Sequence, residues 1–244
     1  MSVNLIIDIG NSLLKVALVQ RDEVLEQHSC QSLSEDMVSD IKARYPSVSR
    51  AIVASTAHST AEVASLLRKC GIDVLEMNSL TPIPIGNDYL SPETLGVDRL
   101  AAAVGAVEVM GCADALIVDF GTAITIDMVE GGVFRGGNIS PGMRTRFRAL
   151  HDYTSRLPEC EATDEVLRLG RTTRQAIEQG VMEGITHEIK GYISSFSQQN
   201  EKLTLIFTGG DANFFVKRIK NAIFAKCDLV LCGLNRILEY NAEF

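Results

Sequence analysis

Leu5-Ile6-Ile7-Asp8-Ile9-Gly10-Asn11-Ser12-Leu13-Leu14-Lys15-Val16-Ala17-Leu18 and Leu116-Ile117-Val118-Asp119-Phe120-Gly121-Thr122-Ala123-Ile124-Thr125-Ile126-Asp127-Met128-Val129 are two versions of one phrase. Aligned without a gap, Asp8 falls on Asp119 and Gly10 on Gly121, with apolar runs on both sides of each turn. A short apolar run bounded by a turn signal reads as a buried strand, and the alternation after it reads as a second strand returning alongside. Each phrase therefore predicts a hairpin with a carboxylate and a glycine at its tip. The stretch after each hairpin is repeated too. The first hairpin leads into a short strand near Glu23–Gln27, a polar helix over 34–44 and a strand over 50–55. The second leads into a strand over 132–135, a long helix over 173–196 and a strand over 203–208. Self-similarity in a fixed order marks a duplicated architecture. The expectation is an α/β chain of two mixed-sheet domains, residues 1–112 and 113–244, with a cleft between them; an apolar helix from Val97 to Met110 precedes the boundary.

Composition narrows the chemistry. The 244 residues are 46% hydrophobic and 22% charged, ordinary for a globular chain long enough for two small domains. No apolar run reaches the roughly 18–20 residues of a membrane span. The N-terminus enters its first strand without the basic region and cleavage site of a secretory signal. Six cysteines are scattered without a CxxC pair, Cys227 and Cys232 being the nearest to a redox pair, and four histidines show no metal-ligand spacing. A reduced, cytoplasmic chain accounts for both. The formal net charge is −8, and no basic stripe offers the phosphate neutralisation that nucleic-acid binding needs. Neither nucleic acid nor membrane is an expected partner. An acidic chain that handles a small anion must place its cations locally, which draws attention to Lys15, Arg99 and the group Arg144, Arg146 and Arg148.

The paired turns have the parts of a phosphate grip. Glycine lets backbone N–H groups approach an anion closely, and Mg2+ is held by one or two carboxylates while keeping several waters. Asp8, Ile9, Gly10, Asn11 and Ser12 can offer N–H donors, an amide and a hydroxyl to phosphate oxygens, with Asp8 orienting the Mg2+. Lys15 comes on the returning strand four residues past Asn11, so both point to one side. Asp119, Gly121 and Thr122 form the second half of the grip, the Thr122 hydroxyl for a phosphate and the Asp119 carboxylate for a cation. Thr208-Gly209-Gly210-Asp211 ends a strand before a helix beginning near Ala212, and its bare backbone suits the nucleoside end of ATP. Neither a Walker A sequence nor a G-x-G-x-x-G after a strand is present, which leaves the hairpins as the candidate triphosphate site. Each signal alone also has an ordinary reading. D-x-G suits any turn, and an Asp98–Arg99 pair in a helix's first turn complements the helix dipole.

Taken together, Asp8-Ile-Gly-Asn-Ser12, Gly96-Val97-Asp98-Arg99, Asp119-Phe-Gly-Thr-Ala123, Gly136-Gly-Asn-Ile-Ser-Pro-Gly142, Leu157-Pro158 and Thr208-Gly-Gly210 resemble the motif set of the type III pantothenate kinases, over nearly the whole chain. That family falls within the acetate and sugar kinase, Hsp70 and actin superfamily. The resemblance therefore implies two duplicated ribonuclease-H-like (actin-like ATPase) domains with ATP in the cleft between them. It implies transfer of the ATP γ-phosphate to the primary hydroxyl of pantothenate, giving 4′-phosphopantothenate, the first step of coenzyme A biosynthesis. It also implies that Gly96, Val97, Asp98 and Arg99 bind pantothenate. Asp98 would accept the hydroxyl proton, and Arg99 would offer its planar fork to a carboxylate or phosphate. Tyr89 stands where the family has a pantothenate-contacting tyrosine. Thr173 matches a residue that reaches the substrate from the partner subunit, whereas Thr172 stands where the family has Asn. Ser12 replaces the usual Thr and keeps its hydroxyl. A monovalent cation, K+ or NH4+, with Asp119 as ligand, and a homodimer are implied as well. Gly180, Gly184 and Gly191 share one face of the 173–196 helix, which fits an interface there or close packing within the chain. Another small-molecule kinase of the superfamily and a non-enzymatic accessory factor for transcription are the alternative readings.

Overall fold

The structure is a computed structural model that describes residues 2–10, 13–55, 59–198, 200, 202–220, 223–224 and 229–242. Asn11, Ser12 and Cys227 lie outside the described residues. The strands are β1 (Asn4–Ile9), β2 (Leu14–Gln20), β3 (Glu23–Cys30), β4 (Arg50–Ser55), β5 (Asp73–Glu76), β6 (Gly86–Asn87), β7 (Ala115–Phe120), β8 (Ala123–Glu130), β9 (Val133–Pro141), β10 (Thr204–Thr208) and β11 (Ile223–Phe224). The α-helices are α1 (Glu35–Arg44), α2 (Ala61–Lys69), α3 (Val97–Val104), α4 (Met143–Asp152), α5 (Thr173–Ser197), α6 (Ala212–Val216) and α7 (Leu229–Asn241). Two compact units result. One comprises Met1–Ala113, Val129–Arg135 and Lys226–Phe244, the other Asp114–Met128 and Gly136–Ala225.

In the first unit the sheet order is β3-β2-β1-β4-β5. β1, β2 and β3 form an antiparallel meander, while β4 and β5 run parallel to β1. Parallel neighbours need crossovers, and α1 and α2 supply them. Ser34 starts α1 by accepting the Met37 N–H at 3.3 Å, with Glu35 and Asp36 in the first turn and Lys42 and Arg44 in the last, as the helix dipole favours. Alternation along β1 sends Leu5, Ile7 and Ile9 into a core with Val38 and Ile41 of α1 and Ala64 and Leu67 of α2. The other face carries Asn4, Ile6 and Asp8. There α7 packs on β1, β2 and β4, and α3 packs on β4 and on α7. Asn4 Nδ2 donates to Asn235 Oδ1 at 2.8 Å, which fixes α7 on that face.

The helix expected over Val97–Met110 is instead α3 followed by a π-helical turn, Gly105–Val109. The reason lies in α7. A Cβ on Gly105 would come within 2.6 Å of the Leu229 carbonyl oxygen, and one on Gly233 would strike the Ala101 carbonyl. The two helices approach backbone to backbone, and the wider turn accommodates the contact.

The second sheet runs β11-β10-β7-β8-β9-β6. With β7 in the place of β1, its first five strands repeat the order of the first sheet, and β10 is parallel to both β7 and β11. The Gly131-Gly132 turn between β8 and β9 has φ of 57° and 73°, the left-handed geometry of a two-residue hairpin. Leu116, Val118 and Phe120 pack against Ile177, Val181 and Ile185 of α5, and Phe120 stacks on Phe215 with centroids 4.6 Å apart. The strand expected over 132–135 continues to Pro141, and α4 occupies a stretch for which no helix was expected. Among the described residues no helix is long and apolar enough to cross a membrane.

Candidate active site

In the first unit, Asp8 pairs in register with Lys15 on β2 and with Ala54 on β4. Residues directly opposite on antiparallel strands point to one face. Asp8 and Lys15 therefore share the face that α3 and α7 cover. The Gly10 N–H donates to the Leu13 carbonyl at 3.1 Å, closing the turn between β1 and β2. Ile9 is packed into the core, so only its peptide groups can meet a ligand; Val97, also buried, has the same limit.

Asp98 stands in the first turn of α3, half-buried, and its Oδ1 accepts the Arg99 N–H at 2.9 Å. A Cβ on Gly96 would lie 2.5 Å from that Oδ1. The G-x-D spacing thus has a local cause, because only glycine leaves room for the carboxylate to fold over the helix start. Arg99 is 6% exposed, its guanidinium carbon 5.6 Å from the Tyr89 ring centroid and 5.7 Å from that of Phe134. The rings hold the cation by their faces while their own centroids are 6.1 Å apart. Tyr89 and Arg99, both expected site residues, thus come together. Phe134 was not expected, since an aromatic residue in a strand reads as core.

In the second unit, Asp119 ends β7 and pairs with Thr208 of β10. Gly209, just beyond, has φ of 92°, and a Cβ there would strike the Asp119 carboxylate and approach Phe120 N to 2.6 Å. The Thr208-Gly209 connection is therefore pressed against the Asp119 turn. Gly121 N–H donates to Ala123 O at 3.1 Å to close that turn, and the Thr122 carbonyl accepts from Gly142 N–H at 3.0 Å and Thr145 Oγ1 at 2.7 Å. Thr122 itself is exposed, as is Gly210, which has open space around it. The Asp119–Thr122 turn and Gly209 are thus brought together. Among the described residues no group of three Asp, Glu, His or Cys side chains is placed to hold a metal. A cation here would rely on one carboxylate with carbonyls, phosphates and water, which suits a hard ion.

Thr173 opens α5 beside a largely apolar cavity of about 720 Å3 between α4 and α5, which Thr145 and Tyr153 also line. Its N-cap is Thr172, whose hydroxyl accepts the Gln175 N–H at 3.2 Å. Of the arginine group, Arg146 is ion-paired with Glu188 and donates to the Pro141 carbonyl at 2.7 Å, and Arg148 pairs with Asp152 at 3.0 Å. Gly180, Gly184 and Gly191 are exposed, and a Cβ on any of them would meet nothing within 4 Å. Packing within the chain is thus not what keeps these positions small.

A family model described as type III pantothenate kinase matches residues 4–195. The chain is 41% identical over 240 residues to a type III pantothenate kinase of Phocaeicola vulgatus, covering 98% of this chain and 99% of that one. Among solved structures it is similar to a Campylobacter jejuni protein assigned to the Baf family of transcriptional activators, with TM-score 0.65, 22% identity and coverage of 98% and 100%. It is also similar to the inorganic polyphosphate/ATP-glucomannokinase of Arthrobacter sp. strain KM, with TM-score 0.51, 14% identity and full coverage of both chains. At those identities the two structures speak for the fold alone, that of duplicated actin-like ATPase domains.

Proposed function

We infer the activity from one premise: this chain belongs to the type III pantothenate kinase family. It is an ATP-dependent kinase that phosphorylates the primary hydroxyl of pantothenate, giving 4′-phosphopantothenate at the entry to coenzyme A biosynthesis. The observation that carries the residue assignment is the start of α3, where Gly96 makes room for the Asp98 carboxylate and Arg99 lies between two aromatic rings.

In this reading Asp98 accepts the proton from the pantothenate hydroxyl through the oxygen that Arg99 N–H does not engage. Arg99, held by Tyr89 and Phe134, presents its fork to the pantothenate carboxylate, and the backbone of Gly96 and Val97 completes that end. Lys15, the turn from Asp8 to Ser12, Thr122, Gly209 and Gly210 hold the triphosphate by N–H groups, hydroxyls and one cation. A divalent metal held by Asp8 would neutralise charge on the β- and γ-phosphates. Asp119 binds a monovalent cation beside it. A coupled ADP-release assay tests the whole: turnover is expected with pantothenate and with K+ or NH4+, and a marked loss when Na+ replaces them. Absence of pantothenate-dependent ADP release would overturn the assignment. Equal rates in Na+ and K+ would remove the monovalent site.

The enzyme works as a homodimer built on the exposed glycine face of α5, with Thr173 offered to the partner's substrate. Leucine at Gly184 points into open space within the chain, so it should leave the fold intact and obstruct a second copy. Light scattering is expected to find Gly184→Leu shifted to monomer at concentrations where the wild type is a dimer. An undisturbed dimer would place the interface elsewhere.

A further inference from the structure

Apart from Asp98, every described residue of α3 is buried. A close-packed helix takes its height from the elements against it, and α7 approaches α3 backbone to backbone. Gly233 of α7 lies on the hydrogen bond that closes α3. A Cβ there would stand 1.8 Å from the Ala101 carbonyl oxygen and 3.0 Å from the Gly105 nitrogen, the two atoms joined by that bond. Ala101 is one turn beyond Asp98, on the same side of the helix. The contact at Gly233 therefore fixes the spacing between α7 and the turn that carries the carboxylate.

Helix α7 is itself held along its axis. Asn235, 1% exposed, accepts from Asn4 Nδ2 of β1 at 2.8 Å and donates through Nδ2 to the Arg21 carbonyl, in the turn between β2 and β3, at 2.7 Å. Arg236 adds an ion pair with Glu108 of the π-helical turn at 3.3 Å. The amide pair is a poor device for stability. Asn4 is also 1% exposed, and its Oδ1 meets no hydrogen-bond partner among the described residues, a cost that two apolar side chains would not incur. Its effect is directional. An apolar helix can slide on an apolar sheet face, whereas two buried hydrogen bonds to separate points of the sheet admit one register.

We propose that Asn235 and Gly233 are positioning residues of the phosphoryl transfer. Asn235 sets the register of α7 on the sheet that carries Asp8 and Lys15. Gly233 passes that register to α3, so that Asp98 stands at a set distance from the Asp8 turn. The proposal rests on the reading of Asp98 as the proton acceptor. A group displaced by about 1 Å from its productive place can lose roughly 10²-fold in rate, which makes the seam between the two helices matter to the chemistry although neither Asn235 nor Gly233 touches a substrate.

Three variants test this in the coupled ADP-release assay, with melting temperatures and amide hydrogen exchange on the same preparations. Gly233→Ala is expected to lower kcat/KM for pantothenate roughly 10–100-fold. The KM for ATP should stay near wild type, because the Asp8–Lys15 hairpin belongs to the sheet and not to α3. Asn4→Val combined with Asn235→Leu replaces the amide pair by apolar groups, and the exposed Arg21 can turn its carbonyl to water. That double variant should melt no lower than wild type, yet lose at least about tenfold in kcat/KM for pantothenate. Leu67→Ala empties a fully buried position in the core on the opposite face of the sheet; it should lower the melting temperature and keep the kinetics. In both α7 variants the α3 amides should exchange faster relative to those of β1. Wild-type pantothenate kinetics in the double variant, activity there that falls only with its melting temperature, or a loss in Leu67→Ala as large as in Gly233→Ala would overturn the proposal. The expected exchange pattern around a wild type that never phosphorylates pantothenate would uphold α7 as the lock on α3 and overturn only the kinase assignment.

Discussion

Asp98→Asn is expected to lower kcat for pantothenate phosphorylation by about 10²–10⁴-fold. The KM for ATP and the melting temperature should stay near wild type. The amide has the size of the carboxylate, and its Oδ1 can still accept the Arg99 N–H that Asp98 accepts at 2.9 Å. What it lacks is the capacity to take up a proton. Loss of the negative charge at the start of α3 costs roughly 0.3–1 kcal/mol, or a few degrees of melting temperature in a chain of this size. The effect should appear in kcat, because the proton moves only as the alcohol attacks. An unchanged kcat would remove Asp98 from the reaction. A lowered rate matched by a large fall in melting temperature would give it a structural role instead.

Gly209→Ala is expected to damage stability and nucleotide binding together. At φ of 92° an L-residue is strained, and the new Cβ would press on the Asp119 carboxylate, Phe120 N at 2.6 Å and Phe120 C at 2.8 Å. The left-handed penalty and the over-packing penalty together come to roughly 2–5 kcal/mol, on the order of 10 °C in melting temperature. The backbone cannot yield cheaply, since Thr208 is laddered to Asp119 in the sheet and Asp211 N–H is bonded to Phe120 O. Relief must come from moving the Asp119 turn itself. Calorimetry and ATP binding on one preparation are the check. A variant of wild-type stability that binds ATP normally would show that this approach is not what shapes the site. Gly210, with open space at its Cβ, is the internal control, and alanine there should be tolerated.

Much of this was readable along the chain because its causes are local. The D-x-G hairpins announce themselves by apolar runs meeting a turn, whereas the pairing of Asp8 with Lys15 is a matter of strand register that only the structure gives. Gly96-x-Asp98 was legible as a motif, though its reason, a Cβ that would crowd the Asp98 oxygen, is a contact. The end of α3 was misread because nothing in Val97–Met110 reveals that α7 will press on Gly105. The glycines of α5 raised a choice between internal packing and an interface, and only coordinates could show open space at all three.

By itself, then, the sequence determined the duplicated α/β architecture and the two D-x-G turns, because each depends on neighbours a few residues away; Asp98 as proton acceptor came from the resemblance of the whole motif set. Tertiary structure decided what depends on residues far apart in the chain. It put Phe134 beside Arg99, although 35 positions separate them in the sequence. It paired Arg146 with Glu188, 42 positions away, and left Arg144 near Asp211. It pressed Gly209 onto Asp119. Burial, ring stacking and close backbone approach are set by which elements pack together, and no periodicity encodes that.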